Sequence, residues 1–292
     1  VRVIIISLAV SMTIACSPLR LLNLAVPRFG YALTRDLAYG ERPRQRLDVY
    51  APVGQHAPLP TVVFFYGGRW SDGDKADYRF VGQALAAKDL VAVVADYRLY
   101  PRVRFPAFLE DGAMAVRWVR DHIQIYGGDP DNIFLMGHSA GAHIAAMLAL
   151  DGRYLAAEGL SPTTLRGIIG LSGPYDFLPF TSADVREIFA PAQDARQTQP
   201  IYFVDGDEAP LLLLAGGKDT KVRPANSINL AARVKAAGGQ AKLIEYPDRG
   251  HAGMLVALAA PLRRLDPVLD DSADFVQQLS ASDRSDVSLM PR

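Results

Sequence analysis

A serine flanked by glycines is the first group in this chain with the means to do chemistry. Gly137-His138-Ser139-Ala140-Gly141 follows the apolar run "IFLM" (133–136) and leads into the alanine-rich "AGAHIAAMLAL" (140–150). Inside a helix each glycine costs roughly 1 kcal/mol relative to alanine, so a buried helix has no use for glycines at 137 and 141. A sharp turn between a strand and a helix does. The G-x-S-x-G spacing is that of a nucleophile elbow: the glycines permit close backbone packing, and the serine hydroxyl is held out at a sheet edge. The N-terminus of the following helix favours negative charge.

A serine hydroxyl is a weak nucleophile at neutral pH and needs a base. The chain has five histidines. His56 lies in a proline-bearing loop and His122 ends a polar helical stretch. His138 and Ser139 are neighbours at a tight turn, where side chains point apart, and His143 reads as a packed or surface residue of the helix behind them. His251, in "YPDRGHAGM" directly after the last strand-like run, is the one expected at the same sheet edge as Ser139. A carboxylate must orient this base and stabilise its imidazolium. Asp219, in "LLLLAGGKDTKVRP", lies just past a buried run, and Asp248 competes from the loop that carries His251. A carboxylate in the same short loop usually caps loop backbone instead, so position favours Asp219.

An attacked carbonyl becomes a tetrahedral oxyanion, and losing one backbone donor to it costs about 10²–10³ in rate. "VVFFYGGRW" ends an apolar run in Gly67-Gly68, where glycine lets the backbone approach a substrate. The second donor expected is the N–H of Ala140, next after the nucleophile. A plain glycine turn is the other reading of Gly67 and Gly68.

These residues need a scaffold that gathers them. Strand-like runs occur at 46–50, 61–66, 90–95, 133–136, 167–171, 211–215 and 242–246, several of them continuously apolar, the pattern of strands buried on both faces. Helical stretches are expected at 77–88, 108–123, 140–150, 226–238 and 269–280. The alternation predicts an α/β fold with a mostly parallel sheet covered on both faces, whose ligands collect at the carboxyl ends of the strands.

With 31 basic and 31 acidic side chains in 292 residues, the chain has no electrostatic footprint for nucleic acid. Its only cysteine is Cys16, so neither an intrachain disulfide nor a thiolate metal cluster is expected. The N-terminus "VRVIIISLAVSMTIAC" is too short in its apolar part to span a bilayer, which takes about 20 residues, and fits the apolar region of an export signal. "TIAC" resembles a bacterial lipoprotein box, which implies lipidation of Cys16, although Thr13 stands where the box favours Leu. Ser17 resembles the second mature residue of lipoproteins sent to the outer membrane. The organisation expected is a signal peptide (1–15), a lipid-anchored tether with some packing segments (16–44), a catalytic domain (45–280) and a flexible tail (281–292). "LRLLNLAV" reads as a short amphipathic helix within the tether. Location at the periplasmic side of the outer membrane follows, with a soluble periplasmic or secreted protein as the alternative.

Four segments together resemble the α/β-hydrolase superfamily, in its esterase/lipase branch with an H-G-G motif: "YGGRW" (66–70), "DYRLYP" (96–101), "YGGDPDNIFLMGHSAGAHIA" (126–145), and "GGKDTKVRP" through "GHAGM". The third is similar to bacterial carboxylesterases and prenylcysteine methylesterases, and more loosely to kynurenine formamidases. The order Ser139, Asp219, His251 is that of this fold. The resemblance implies a Ser-Asp-His hydrolase of small esters, without metal or organic cofactor, and a small cap insertion. Tyr66 departs from it, standing where the motif usually has His and putting the shape of the following loop in question. By the same analogy Asp96 and Arg98 brace loops at a strand end. Specificity is expected from the loop around Trp70 and from the insertion at about 172–208. Phe177, Leu178, Phe180, Ile188, Phe189, Ile201 and Phe203 of that insertion either roof an acyl pocket or cover ordinary core. An arylformamidase or amidase on the same triad, and a non-catalytic binding protein on the same fold, are the competing functions.

Overall fold

The apolar runs become the inner strands of a sheet in a computed structural model, which describes residues 18–54 and 58–287. The elements in chain order are α1 (Pro18–Leu24), β1 (Tyr31–Ala38), β2 (Arg46–Pro52), β3 (Leu59–Phe65), α2 (Arg79–Ala86), β4 (Val91–Ala95), α3 (Ala107–His122) and β5 (Gly128–His138). They continue with α4 (Ala140–Leu150), α5 (Arg153–Ala157), β6 (Leu165–Leu171), α6 (Ala183–Phe189), β7 (Leu211–Gly216) and α7 (Ala225–Ala236). Last come β8 (Ala241–Tyr246), α8 (His251–Val256) and α9 (Val268–Val287). The strands form one eight-stranded sheet in the order β1-β2-β4-β3-β5-β6-β7-β8. β2 runs antiparallel to both β1 and β4, and the other pairings are parallel. This is the α/β-hydrolase architecture.

Continuous apolar sequence marks strands with a neighbour on each side. β4 and β7 are buried at every position, and so is all of α4, which packs on β5, β6, β3 and α3. A helix apolar all round is stable only when surrounded.

Two boundaries differ from expectation. β1 pairs with β2 and Tyr39 is buried, so the sheet begins inside the segment expected to be a tether at 16–44. β1 is an edge strand, half-exposed and with a register shift between Thr34 and Leu37, so it lacks the continuous apolar run of its inner neighbours. At the other end α9 continues to Val287, into the segment expected as a flexible tail from 281. Cys16 and the signal segment lie outside the described residues, as does His56.

Strand register determines what meets at the carboxyl edge. Phe65 of β3 pairs with Gly137 of β5, His138 of β5 with Leu171 of β6, and Gly216 of β7 with Tyr246 of β8. The residues just past these ends are Tyr66-Gly67, Ser139, the loop to Asp219 and the loop to His251. The fold therefore brings four distant stretches of chain to one edge.

Candidate active site

Ser139 occupies the turn between β5 and α4 with φ +54° and ψ −122°. A non-glycine residue held there costs on the order of 1–3 kcal/mol and persists only where its surroundings over-determine it. Here they do. The Ser139 N–H donates to the Leu171 carbonyl and its own carbonyl accepts from the His143 N–H. Both flanking glycines sit at backbone crossings. A Cβ at Gly137 would lie 2.3 Å from the Gly141 carbonyl carbon, and one at Gly141 would lie 1.9 Å from the Phe65 carbonyl oxygen. The glycines are where β3, β5 and α4 touch backbone to backbone.

His251, the first residue of α8, places its Nε2 2.9 Å from Ser139 Oγ and its Nδ1 2.7 Å from Asp219 Oδ2. Asp219 is buried, and its Oδ1 accepts the N–H groups of Lys221 and Val222, 2.9 Å each. The loops carrying the two residues are stitched together: Gly217 N–H donates to the Tyr246 carbonyl and Lys218 N–H to the Arg249 carbonyl. Asp248 is 88 % exposed and paired with Lys218, away from the imidazole.

The glycine pair after β3 lies against the elbow. A Cβ at Gly67 would be 3.0 Å from both Ser139 Cβ and His138 Nδ1, and one at Gly68 would overlap the Asp72 carbonyl. Gly68, Arg69 and Trp70 all have positive φ, and the Gly68 carbonyl is taken up by the N–H groups of Ser71 and Asp72. Ala140 opens α4, so its N–H has no acceptor within the helix.

Tyr66 explains its own departure from the family motif. Its ring is fully buried between Tyr78 and Tyr97, stacked on each. Its hydroxyl donates to Asp96 Oδ1 at 2.6 Å and accepts from Arg44 at 2.6 Å. Asp96 also accepts the Lys75 N–H, and burial pushes its carboxyl up to about 6. Arg98 pairs with fully buried Asp111. Asp96 and Arg98 thus brace loops. The cleft of about 440 Å³ lined by Arg44, Asp48, Lys75 and Asp96 is walled by these paired charges and contains none of the candidate catalytic groups.

His138 stands closer to the chemistry than neighbour geometry suggests. Its Nε2–H donates to the His251 carbonyl at 3.1 Å, and the two rings lie 4.8 Å apart. Burial, helped by the nearby His251, pushes His138 down to about 3. His143 is fully buried; its Nε2–H donates to the Thr198 carbonyl, and burial lowers it to about 4.

A cleft of about 160 Å³ opens beside Ser139, walled by Trp70, Phe177, Phe180 and Val185. Ile188 and Phe189 of the insertion are buried, and the Phe189 ring packs against Trp70, Phe177 and Phe180, backing the wall of the cleft. The insertion divides between the two uses expected for it.

The two buried histidines make stability depend on pH. Between the depressed folded values, about 3 and about 4, and the ordinary 6.5, the unfolded chain binds protons that the folded chain does not. Stability therefore rises with pH across that window. Asp96, raised from 3.8 to about 6, opposes this with a single group. The melting temperature is expected to climb from pH 4.5 to pH 7, and His143→Gln to flatten the climb. A flat or falling profile in the wild type contradicts the assignment of neutral buried imidazoles.

Comparison with known proteins agrees with this architecture. The BD-FAE family model matches residues 47–234. The chain is 32 % identical over 271 residues to the probable isoprenylcysteine alpha-carbonyl methylesterase ICMEL1 of Arabidopsis thaliana, covering 85 % of this chain and 56 % of that protein. It is 30 % identical over 284 residues to the probable isoprenylcysteine alpha-carbonyl methylesterase ICME of Oryza sativa subsp. japonica, covering 90 % of this chain and 68 % of that one. It thus spans between 56 % and 68 % of the length of these two relatives. The crystal structure of inhibited esterase B from Lactobacillus rhamnosis superposes with a TM-score of 0.81 at 20 % identity, covering 92 % of this chain and 94 % of that chain. The chain belongs to the BD-FAE family, and with it to the esterase/lipase branch of the α/β-hydrolase superfamily.

Proposed function

We propose that the chain is a carboxylesterase-type serine hydrolase acting on small esters, with Ser139 as nucleophile, His251 as general base and Asp219 orienting the base. The observation that carries this is the continuous hydrogen-bonded path Ser139–His251–Asp219, 2.9 and 2.7 Å, at a strand-to-helix elbow. The esterase names of its relatives support the same reading.

In this mechanism the Asp219 carboxylate accepts Nδ1–H, so the His251 Nε2 lone pair faces the serine. Nε2 takes the hydroxyl proton as Oγ bonds to the ester carbonyl carbon. The oxyanion is received by the N–H groups of Ala140 and Gly68, together with that of Gly67. The bond to the alcohol oxygen then breaks, and the imidazolium protonates the leaving alcohol. Water attacks the acyl-serine, gives a proton to Nε2, and the acid departs as the serine is reprotonated. The cleft by Trp70 and Phe177 receives a short acyl chain. His138, neutral and bonded to the His251 backbone, is a positioning residue for the base.

A hydrolysis screen over aryl acetates and butyrates, formanilides and aryl amides tests the reading. Turnover of the short esters is expected. A marked preference for formanilides moves the function to a formamidase, and no turnover of any activated ester returns it to a binding protein.

The same proposal carries the location. Residues 1–15 are read as an export signal and Cys16 as a lipid attachment site, so that the protein is held at the periplasmic face of the outer membrane. In a Gram-negative host the wild type is expected in the detergent phase with labelled palmitate incorporated, and Cys16→Ser with neither. Soluble forms sharing one mature N-terminus make it a periplasmic or secreted protein instead.

A further inference from the structure

α1 is apolar on two sides, and only one side is covered. Leu19 and Leu22 pack on the core. Asn23 fastens the helix: its Nδ2 donates to the Ala76 carbonyl at 2.8 Å and its Oδ1 accepts the Phe80 N–H at 3.1 Å. On the other side Leu21 is 60 % exposed and Leu24, one turn on, is 82 % exposed. Phe29 follows at 81 %, next to exposed Arg28. Three large apolar side chains exposed along one short stretch of chain are the material of an interaction surface.

The sequence says what lies nearby. The apolar run "VIIISLAV" (3–10) precedes α1, and Cys16 is separated from the helix by Ser17 alone. We propose that the outward side of α1, with Phe29, is a bilayer-contact surface seated at the headgroup boundary of the membrane. The idea rests on the reading of residues 1–16 as an export and anchoring segment. Two residues of chain reach at most about 7 Å. A lipid at Cys16 therefore leaves α1 at the membrane, and the Asn23 bonds keep the helix from swinging off the domain. Leu21, Leu24 and Phe29 enter the roughly 5–10 Å of interface that amphipathic helices occupy. Arg28 suits anionic headgroups. Among the described residues no helix is long and apolar enough to cross a membrane. The domain lies on the lipid surface instead of standing clear of it on a tether.

The position of α1 gives this contact a consequence for substrate. α1 is bonded to the turn at Ala76 and to the start of α2, and Lys75 of that turn donates its N–H to Asp96, just past β4. This is the carboxyl edge of the parallel strands, the edge that carries Ser139. Amphiphilic esters held in the membrane surface are therefore the substrate class this arrangement serves.

The test uses the full chain, purified and mixed with phosphatidylethanolamine/phosphatidylglycerol vesicles. A polarity-sensitive fluorophore is placed on Leu24→Cys, on Phe29→Cys and, as a control, on Ile125→Cys, which is 77 % exposed and lies shortly before the start of β5 at the opposite edge. Vesicles are expected to shift emission to the blue at 24 and 29 and not at 125. Aqueous emission at 24 and 29 in protein that floats with the vesicles overturns the surface and leaves the anchor standing. A vesicle-dependent shift that persists in the Cys16→Ser background, without palmitate in the wild type, keeps the surface and removes the anchor. A shift present without lipid overturns the proposal: it assigns the face to the chain's own apolar segment if independent of protein concentration, and to a second copy if it grows with concentration.

Discussion

Ser139→Ala is expected to lower ester turnover by about 10⁴–10⁶, the scale of losses when a triad nucleophile is removed. The substitution deletes the hydroxyl bonded to His251 Nε2 at the elbow. It leaves the backbone bonds to Leu171 and His143 in place. Alanine meets the same strained φ as serine, so the melting temperature is expected to stay close to that of the wild type. The residual rate is that of binding and oxyanion stabilisation alone. Turnover within tenfold of the wild type, in protein with an unchanged melting temperature, means that another group is the nucleophile.

Asp219→Asn is expected to cost about 10⁴ in kcat, the effect of leaving the base in the wrong tautomer. The structure fixes the direction of the amide. Lys221 and Val222 both donate to Oδ1, so the asparagine oxygen takes that side and its NH₂ faces His251 Nδ1. Nδ1 must then accept, its proton moves to Nε2, and Nε2 can no longer take the proton of Ser139. Asp248→Asn changes only an exposed pair with Lys218, and kcat is expected to stay within about threefold of the wild type, since exposed pairs contribute little. The comparison is a steady-state measurement on two folded variants. The reverse ranking assigns the orienting carboxylate to the short loop beside the base.

Much of the architecture is readable in the sequence because its core is written in continuous apolar runs. β4, β7 and α4 are buried at every position, and their sequences show it. β1 was hidden for the opposite reason. Its half-exposed pattern, with Arg35 and Asp36 at the register shift, is that of an edge strand whose stability comes from a single partner. Ser139, Asp219 and His251 were legible because each follows a strand end, and a parallel sheet collects those ends on one edge.

Side-chain direction was not legible in the same way. His138 follows no periodic signal. Its ring reaches His251 only because α8 begins above the elbow, a relation between residues far apart in sequence. Within the insertion Phe177 and Phe180 line the cleft and Phe189 is buried behind them, yet all three are the same residue type. Tyr66 broke a motif, and its reason lies in Arg44 and Asp96, which are distant in sequence and are held beside it by the sheet.

In the proposed mechanism Ser139 is a nucleophile activated by His251. Treatment of the wild type with an organophosphonate, followed by digestion and mass spectrometry, tests it most directly. One adduct is expected, on Ser139, formed in step with the loss of ester turnover, and none in His251→Ala over the same time. An adduct on another serine, or Ser139 fully modified with turnover intact, contradicts it.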